Sequence, residues 1–385
     1  MKYICLNPIA EAGLAKLPEN YERVENINEA DAVLVRSAKM TEMAIPETVC
    51  AIARAGAGVN NIPVDACAEA GIVVFNTPGA NANGVKELTI LGMLLASRDA
   101  KGGMQWVEEN KADEALSKTM EKAKAKFAGT ELKGKTLAVI GLGAIGVLVA
   151  NTAVALGMRV YGYDPFLSVE HALKMDSHVH LRKNLSDVLT VADYVTLHVP
   201  ETPETVGMIN EETLQEMNDG AVLLNFARDG LVNNKALAEA LNLNKLRKYV
   251  TDVPNYEVAQ LPNVIAFPHL GASTEESETN CAIMAAEELS DYLDNGNIKN
   301  SVNYPACSMG PARKPVRICV AHRNVPNIIS TVTTVLGSVQ ANISDMVSKS
   351  RGNYSYAMFD LDHKLDPEVI EKVRALPDVL RVRVI

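Results

Sequence analysis

Two doubly wound α/β domains followed by a small βαββαβ domain are predicted for this chain, and three observations predict them. Short β-branched runs alternate with helical stretches in two successive series. The run Gly141-Leu142-Gly143-Ala144-Ile145-Gly146 separates an apolar strand from a helix at the head of the second series. The segment 315–385 has its own rhythm of four strands and two helices.

In the first series, 3–6, 9–17, 32–36, 45–49, 51–54 and 72–75 alternate extended and helical patterns, as parallel βαβ units do. A long helical stretch follows over 84–110. Strand patterns restart at 136–140 and return at 159–163, 194–199, 221–225, 249–252 and 264–267, before a helix over 277–295. Segment 304–315, rich in Pro and small residues, reads as a linker. Beyond it come a strand at 316–320, a helix with Ile329, Val332, Leu336 and Val339 on one face, and a strand at 343–347. A strand alternating through Tyr354, Tyr356 and Met358, a helix with Val369, Ile370, Val373 and Leu376, and a last strand at 379–385 complete the chain. This order is the ferredoxin-like one. Its sheet carries helices on one face only, which predicts that the other face meets another copy of the chain or a ligand held between copies.

Composition narrows the function classes. At 385 residues the chain has room for two or three domains with sizeable cores. No apolar run approaches the ~18 residues needed to cross a bilayer, so no membrane role is expected. Lys and Arg number 37 against 47 Asp and Glu, a net charge of −10, and no segment gathers the basic stripe that a phosphate backbone requires. Nucleic acid is not an expected partner, whereas an anionic small molecule remains compatible, because a cleft can be locally positive in an acidic protein. The six cysteines are scattered, without metal-ligand spacing, and the first residues lack an export-signal pattern. No metal site is expected, and the cysteines read as reduced thiols of a cytoplasmic protein.

The glycine run has the context that gives it meaning. A strand precedes it, a helix follows, and the next strand ends on Asp164 at the ~20-residue spacing of a Rossmann dinucleotide fingerprint. Gly141 permits the turn, Gly143 admits a pyrophosphate close to the backbone, and Gly146 lets helix and strand pack. Ala144 and Ile145 open the helix whose free N–H groups face the phosphates. Asp164 suits the two ribose hydroxyls of NAD, and no Arg follows it to receive the 2′-phosphate of NADP.

Three polar residues follow strands of this second domain: Arg228, Glu257 and His269. In open α/β sheets the ligand crevice lies outside the carboxyl ends of the strands, so these residues are placed to converge. The segments Asn225-Phe226-Ala227-Arg228, Asp252-Val253-Pro254-Asn255-Tyr256-Glu257 and Pro268-His269-Leu270-Gly271 resemble the active-site signatures of the NAD-dependent D-2-hydroxyacid dehydrogenases. Together with 53–61, 76–78 and the βαββαβ tail, that resemblance spans essentially the whole chain. It implies a flavodoxin-like substrate-binding domain (1–97 and 283–305), a Rossmann NAD-binding domain (98–282), a linker (306–314) and an ACT-type regulatory domain (315–385). His269 is then the base that takes the hydroxyl proton, a task suited to a group with a pKa near 6.5, and Glu257 is its orienting carboxylate. Arg228 clamps the substrate carboxylate as a bidentate donor. The resemblance places His198, Val199 and Pro200 along the nicotinamide ribose, Asp252 at the carboxamide, and Ala227 beside the cofactor. Two departures from the signatures stand out. Asp229 occupies the usual Gly position after the Arg, with Asn233-Asn234 where Asp-Glu is common, and Pro254 replaces an aromatic.

Arg36-Ser37-Ala38-Lys39 ends a first-domain strand and resembles the phosphate-binding segment of family members acting on 3-phosphoglycerate. Arg36 is the bidentate phosphate donor there, with Ser37 and Lys39 beside it. Ala57, Gly58 and Val59 resemble the backbone loop that receives the substrate carboxylate, and Asn81 an Asn near the substrate. In the tail, His322, Asn324 and Asn342 match positions that hold a serine effector between ACT-type domains. The expected activity is oxidation of 3-phosphoglycerate with NAD, by a homodimer or homotetramer. A hydroxypyruvate or glyoxylate reductase and a non-enzymatic NAD-sensing scaffold are the alternatives.

Overall fold

In the computed structural model, which describes residues 1–385, the apolar runs pair into three sheets. The sheets divide between two contact units, Met1–Asn81 with Glu275–Ile385, and Ala82–Thr274. The two parallel sheets and one small antiparallel sheet are the fold class predicted above.

The first unit contains β1 (Lys2–Cys5), β2 (Glu22–Arg23), β3 (Ala32–Val35), β4 (Ala51–Arg54) and β5 (Val73–Phe75), all parallel, in the order β2-β1-β3-β4-β5. That is the flavodoxin-like order. β3 is buried at all four positions because both sheet faces are covered, so it reads as a continuous apolar run rather than an alternation. Helix Glu275–Asn295 returns to this unit and packs on it so closely that a Cβ at Gly13 would lie 2.5 Å from Ala282.

The second unit contains β6 (Thr136–Ile140), β7 (Arg159–Tyr163), β8 (Val179–Arg182), β9 (Tyr194–Leu197), β10 (Ala221–Asn225), β11 (Leu246–Thr251) and β12 (Val264–Ala266). The order is β12-β11-β10-β9-β6-β7-β8, again all parallel, and it reverses direction at β6 and β9. Alternate residues of β6 enter opposite cores, Ala138 and Ile140 on one side, Leu137 and Val139 on the other. The reversal creates a crevice at the carboxyl ends of these strands.

The tail forms β13 (Val316–Arg323), β14 (Ile343–Arg351), β15 (Tyr354–Leu361) and β16 (Val379–Val384), antiparallel in the order β14-β15-β13-β16. Ile318, Val320, Ala357 and Phe359 pack under its two helices. The opposite face, expected to meet a second copy or a ligand, is instead largely covered within the same unit. Cys319, Ala321, Tyr356 and Met358 join Tyr292, Leu293, Tyr304 and Cys307 in one core. Arg383 sits 4.3 Å above the Tyr292 ring and donates to the carbonyls of Tyr292 and Leu293. The segment read as a linker is pinned as well. Cys307 bridges Ile298, and the N–H groups of Met309 and Ala312 donate to Asn297 and Asn295.

Local differences from the sequence expectation have local causes. Segment 45–49 forms no regular element around Pro46, and the helix lies at Val64–Glu69. The stretch over 84–110 is two helices, because Asp99 caps Ala100–Glu109 by accepting the Gly102 N–H at 3.0 Å. Helix Ala82–Ser97 belongs to the second unit, where Gly92 faces Phe226 and Val250, so the unit boundary falls at 82 rather than 98.

Candidate active site

The glycine loop leaves β6 with Gly141 at φ +89°, where a Cβ would strike the His198 carbonyl at 2.5 Å. Gly146 is equally constrained, since a Cβ there would lie 1.9 Å from the Gly141 oxygen. Gly143 differs. It is the N-cap of helix Ala144–Ala155, and a Cβ on it would meet no protein atom within 4 Å. Two glycines are therefore required by packing, and the third leaves open space at a helix N-terminus, which suits a pyrophosphate. The Asp164 carboxylate is anchored beside the loop, accepting the Leu142 and Phe166 N–H groups at 2.8 Å each.

Along the neighbouring strand ends, Thr196 Oγ1 lies 3.0 Å from Nε2 of His198, and burial pushes the His198 imidazole down to about 3. The ring is neutral, and its buried Nδ1 has no protein partner. Val199 and Pro200 follow it. Asp252 is buried after β11. Its Oδ2 accepts the Gly271 N–H at 3.1 Å, its Oδ1 has no protein partner, and burial holds its carboxyl above the usual range. A buried imidazole nitrogen and a buried carboxylate oxygen without partners, at strand ends of the unit that carries the glycine loop, fit the ribose and carboxamide of a dinucleotide.

Asn225 organises the end of β10. Its amide donates to the carbonyl of Arg228 at 2.8 Å and to the Tyr249 hydroxyl at 3.2 Å, and its Oδ1 accepts the Ala227 N–H at 3.1 Å. Arg228 itself is exposed, donates to the Ala227 carbonyl at 2.7 Å and makes no ion pair. His269 is exposed with φ +39°, a left-handed backbone held by its N–H donating to the Asp252 carbonyl at 2.8 Å. Strain of this kind at a strand-end loop marks a position fixed by its surroundings. Glu257 is not hydrogen-bonded to His269. It lies in the short helix Tyr256–Ala259, exposed, with Oε2 accepting from Asn234 at 3.4 Å.

In the first unit, the loop after β3 is gathered by a residue that the sequence reading passed over. Asn7 Oδ1 accepts the N–H groups of Arg36, Ser37 and Ala38 at 3.2, 3.0 and 2.8 Å. Arg54 Nε donates to the Arg36 carbonyl at 3.0 Å, and Asn61 to that of Ala38 at 2.8 Å. The Arg36 guanidinium meets Glu278 through one nitrogen, Nη2, at 2.5 Å, and Lys39 is exposed. Asn76 donates to the Ala57 carbonyl at 2.6 Å and so shapes the loop through Gly58 and Val59, while Asn81 closes this part of the unit. In the tail, His322 is buried, its Nδ1–H donates to the Arg323 carbonyl at 2.8 Å, and its Nε2 has no partner. Asn324 donates to the Gly352 carbonyl at 3.0 Å, and the carbonyl of Asn342 accepts the Asp362 N–H at 3.3 Å. Asn7 acts on residues far away in sequence, so no local pattern marks it, whereas Arg54 and Asn61 lie within the quoted segment 53–61 and Asn225 within a quoted signature.

Residues 90–271 match the profile of the D-isomer specific 2-hydroxyacid dehydrogenase NAD binding domain. The chain is 38% identical over 309 residues to a D-3-phosphoglycerate dehydrogenase of Methanocaldococcus jannaschii, covering 78% of this chain and 57% of that protein. It is 32% identical over 382 residues to D-3-phosphoglycerate dehydrogenase 2 of Saccharomyces cerevisiae, covering 92% of this chain and 77% of the yeast protein. The NAD-bound 3-phosphoglycerate dehydrogenase of Entamoeba histolytica superposes with a TM-score of 0.61 at 30% identity, over 79% of this chain and 98% of that one. With 57% of the archaeal relative and 53% of a Synechocystis one matched, the chain spans little more than half the length of several curated relatives.

Proposed function

This chain belongs to the D-isomer specific 2-hydroxyacid dehydrogenase family, and from that premise we propose that it oxidises 3-phospho-D-glycerate to 3-phosphohydroxypyruvate with NAD, the first oxidation of serine synthesis. The observation that carries the reading is the loop after β3, where Asn7 gathers three N–H groups and presents Arg36 with its guanidinium already on a carboxylate. A phosphate would take the place of Glu278 on this guanidinium as a bidentate acceptor, and phosphate recognition separates this substrate from unphosphorylated acids.

A bound NAD would supply the hydride acceptor for C2. The chain's own residues do the rest. Gly143 and the N–H groups at Ala144 and Ile145 receive the pyrophosphate, Asp164 the ribose hydroxyls, and Asp252 with His198 the nicotinamide end. Arg228 holds the substrate carboxylate; in the first unit the backbone of 57–59 and Asn81 are substrate-binding, and Ser37 and Lys39 assist Arg36. His269 accepts the hydroxyl proton as hydride leaves carbon, so C2 becomes a carbonyl and one proton resides on the imidazole. Glu257 accepts from Asn234 and not from His269 in this structure, so the orienting role given to it requires a change of partner.

The C-terminal βαββαβ segment is an ACT-type module whose loop at His322 and Asn324, with Asn342, takes serine as effector in a homodimer or homotetramer of a cytoplasmic enzyme. The unpartnered Nε2 of His322 supports a polar ligand there. His269→Ala tests the chemistry. Loss of a base lowers kcat by roughly 10²–10⁴-fold with NAD affinity kept, whereas loss of NAD binding overturns the role assigned.

A further inference from the structure

We propose that Asn255 and Asp229 form a positioning link that keeps Arg228 free for its anion and fixes the segment carrying Glu257, an inference that rests on the dehydrogenase reading above. Asn255 uses both ends of its amide. Its Oδ1 accepts the Val258 N–H at 2.9 Å, capping the helical turn that bears Glu257. Its Nδ2 donates to both carboxylate oxygens of Asp229, at 3.2 and 3.1 Å. Asp229 directly follows Arg228 on the loop leaving β10, while Asn255 sits on the loop leaving β11. The link thus ties the loop of the anion clamp to the loop of the orienting acid.

The chemistry explains why the link is needed. A carboxylate adjacent to a guanidinium is a built-in competitor for it, and a substrate carboxylate would have to displace that competitor. Here Arg228 makes no ion pair, and the Asp229 carboxylate is engaged by an amide. A second amide runs in the opposite direction. Asn234, downstream on the Arg228 side, donates to Glu257 at 3.4 Å on the Asn255 side. Asp229 and Asn234 are two of the positions at which the chain departs from the family signature, beside Asn233 and Pro254. These two residues therefore belong to one two-way connection between the loops.

The test exchanges donor and acceptor. Asp caps a helix as well as Asn does, so Asn255→Asp preserves the cap on Val258 but sets a carboxylate against Asp229. Adding Asp229→Asn restores a donor–acceptor pair in reversed polarity. With the full chain, NAD and 3-phosphoglycerate, N255D is expected to raise KM by about tenfold or more, with a smaller fall in kcat. The double variant D229N/N255D is expected to return KM to within about threefold of wild type, with similar melting temperatures throughout. A wild-type KM for N255D, or a double variant no better than N255D, overturns the proposal, since capping alone predicts no effect of N255D and no rescue. A wild-type protein inactive on the acid overturns the functional reading instead. The link is then decided by amide exchange at 229–232, which N255D should speed and the double variant slow again.

Discussion

Gly143 and Gly146 share one motif but answer to different neighbours, and replacing each with Ala separates cofactor binding from folding. A Cβ at position 146 would lie 1.9 Å from the Gly141 carbonyl oxygen, a distance no relaxation of a side chain can relieve because both sides are backbone. Overpacking of this kind costs roughly 2 kcal/mol or more, which for a unit of this size lowers Tm by about 5 °C. At position 143 the same methyl meets no protein atom, and φ −77° with ψ −159° is extended backbone that Ala adopts freely. The remaining cost is that of Ala for Gly at an N-cap, below about 1 kcal/mol. The methyl does intrude where a pyrophosphate would approach the helix N-terminus, so NAD affinity is expected to fall at least about tenfold, or ~1.4 kcal/mol. Thermal melts and calorimetric NAD titrations of both variants read the two effects separately. A G143A protein that binds NAD as tightly as wild type refutes the placement of the pyrophosphate at this loop.

Three further outcomes follow from particular contacts. Arg36→Ala is expected to raise KM for 3-phosphoglycerate by about tenfold or more and KM for D-glycerate by less than about twofold, because one bidentate phosphate contact is lost; equal effects on both acids remove the phosphate role. Glu288 is buried with Oε2 unpartnered, and burial pushes its carboxyl from 4.5 up to about 7. The folded state therefore holds that proton more tightly than the unfolded chain, so stability falls as pH rises between those values and the loss is complete above the upper one. Glu288→Gln should accordingly exceed wild type in stability at about pH 8 by on the order of 2 kcal/mol and match it near pH 5, and denaturant melts showing the same difference at both pH values contradict this. Asp360→Ala leaves the Arg317 guanidinium, 1% exposed and held by that carboxylate at 2.6 and 2.8 Å, buried without its counter-charge. A loss of about 3–5 kcal/mol is expected in equilibrium unfolding, and a loss below ~1 kcal/mol would show that water reaches the site.

What was legible in the sequence was what local order encodes. The glycine fingerprint, its flanking strand and Asp164 lie within one βαβ unit, and the alternation through Tyr354, Tyr356 and Met358 in β15 is a period-2 signal that needs no partner to be read. β8 escaped because an edge strand with one buried residue, Val179, followed by exposed His180, Leu181 and Arg182, carries no apolar run. Helix Val64–Glu69 escaped because it is six residues long and opens after Pro63 without a side-chain cap. The site was legible as a set of residue types at strand ends, but its wiring was not. Asn7 reaches a loop 29 to 31 residues away, and Asn255 reaches Asp229 across 26. Glu257 can be read as a carboxylate near a His, yet only its contact with Asn234 shows where it rests. The covered face of the antiparallel sheet depends on Tyr292 and Tyr304, which precede that sheet in sequence and carry no mark of what they will meet.

The most direct measurement is the initial rate of NADH formation when the purified chain is given NAD and either 3-phosphoglycerate or D-glycerate, with the keto product trapped chemically. A clear preference in kcat/KM for the phosphorylated acid is the result predicted here. Turnover of both acids at equal efficiency, or of neither while NAD still binds, would contradict the account.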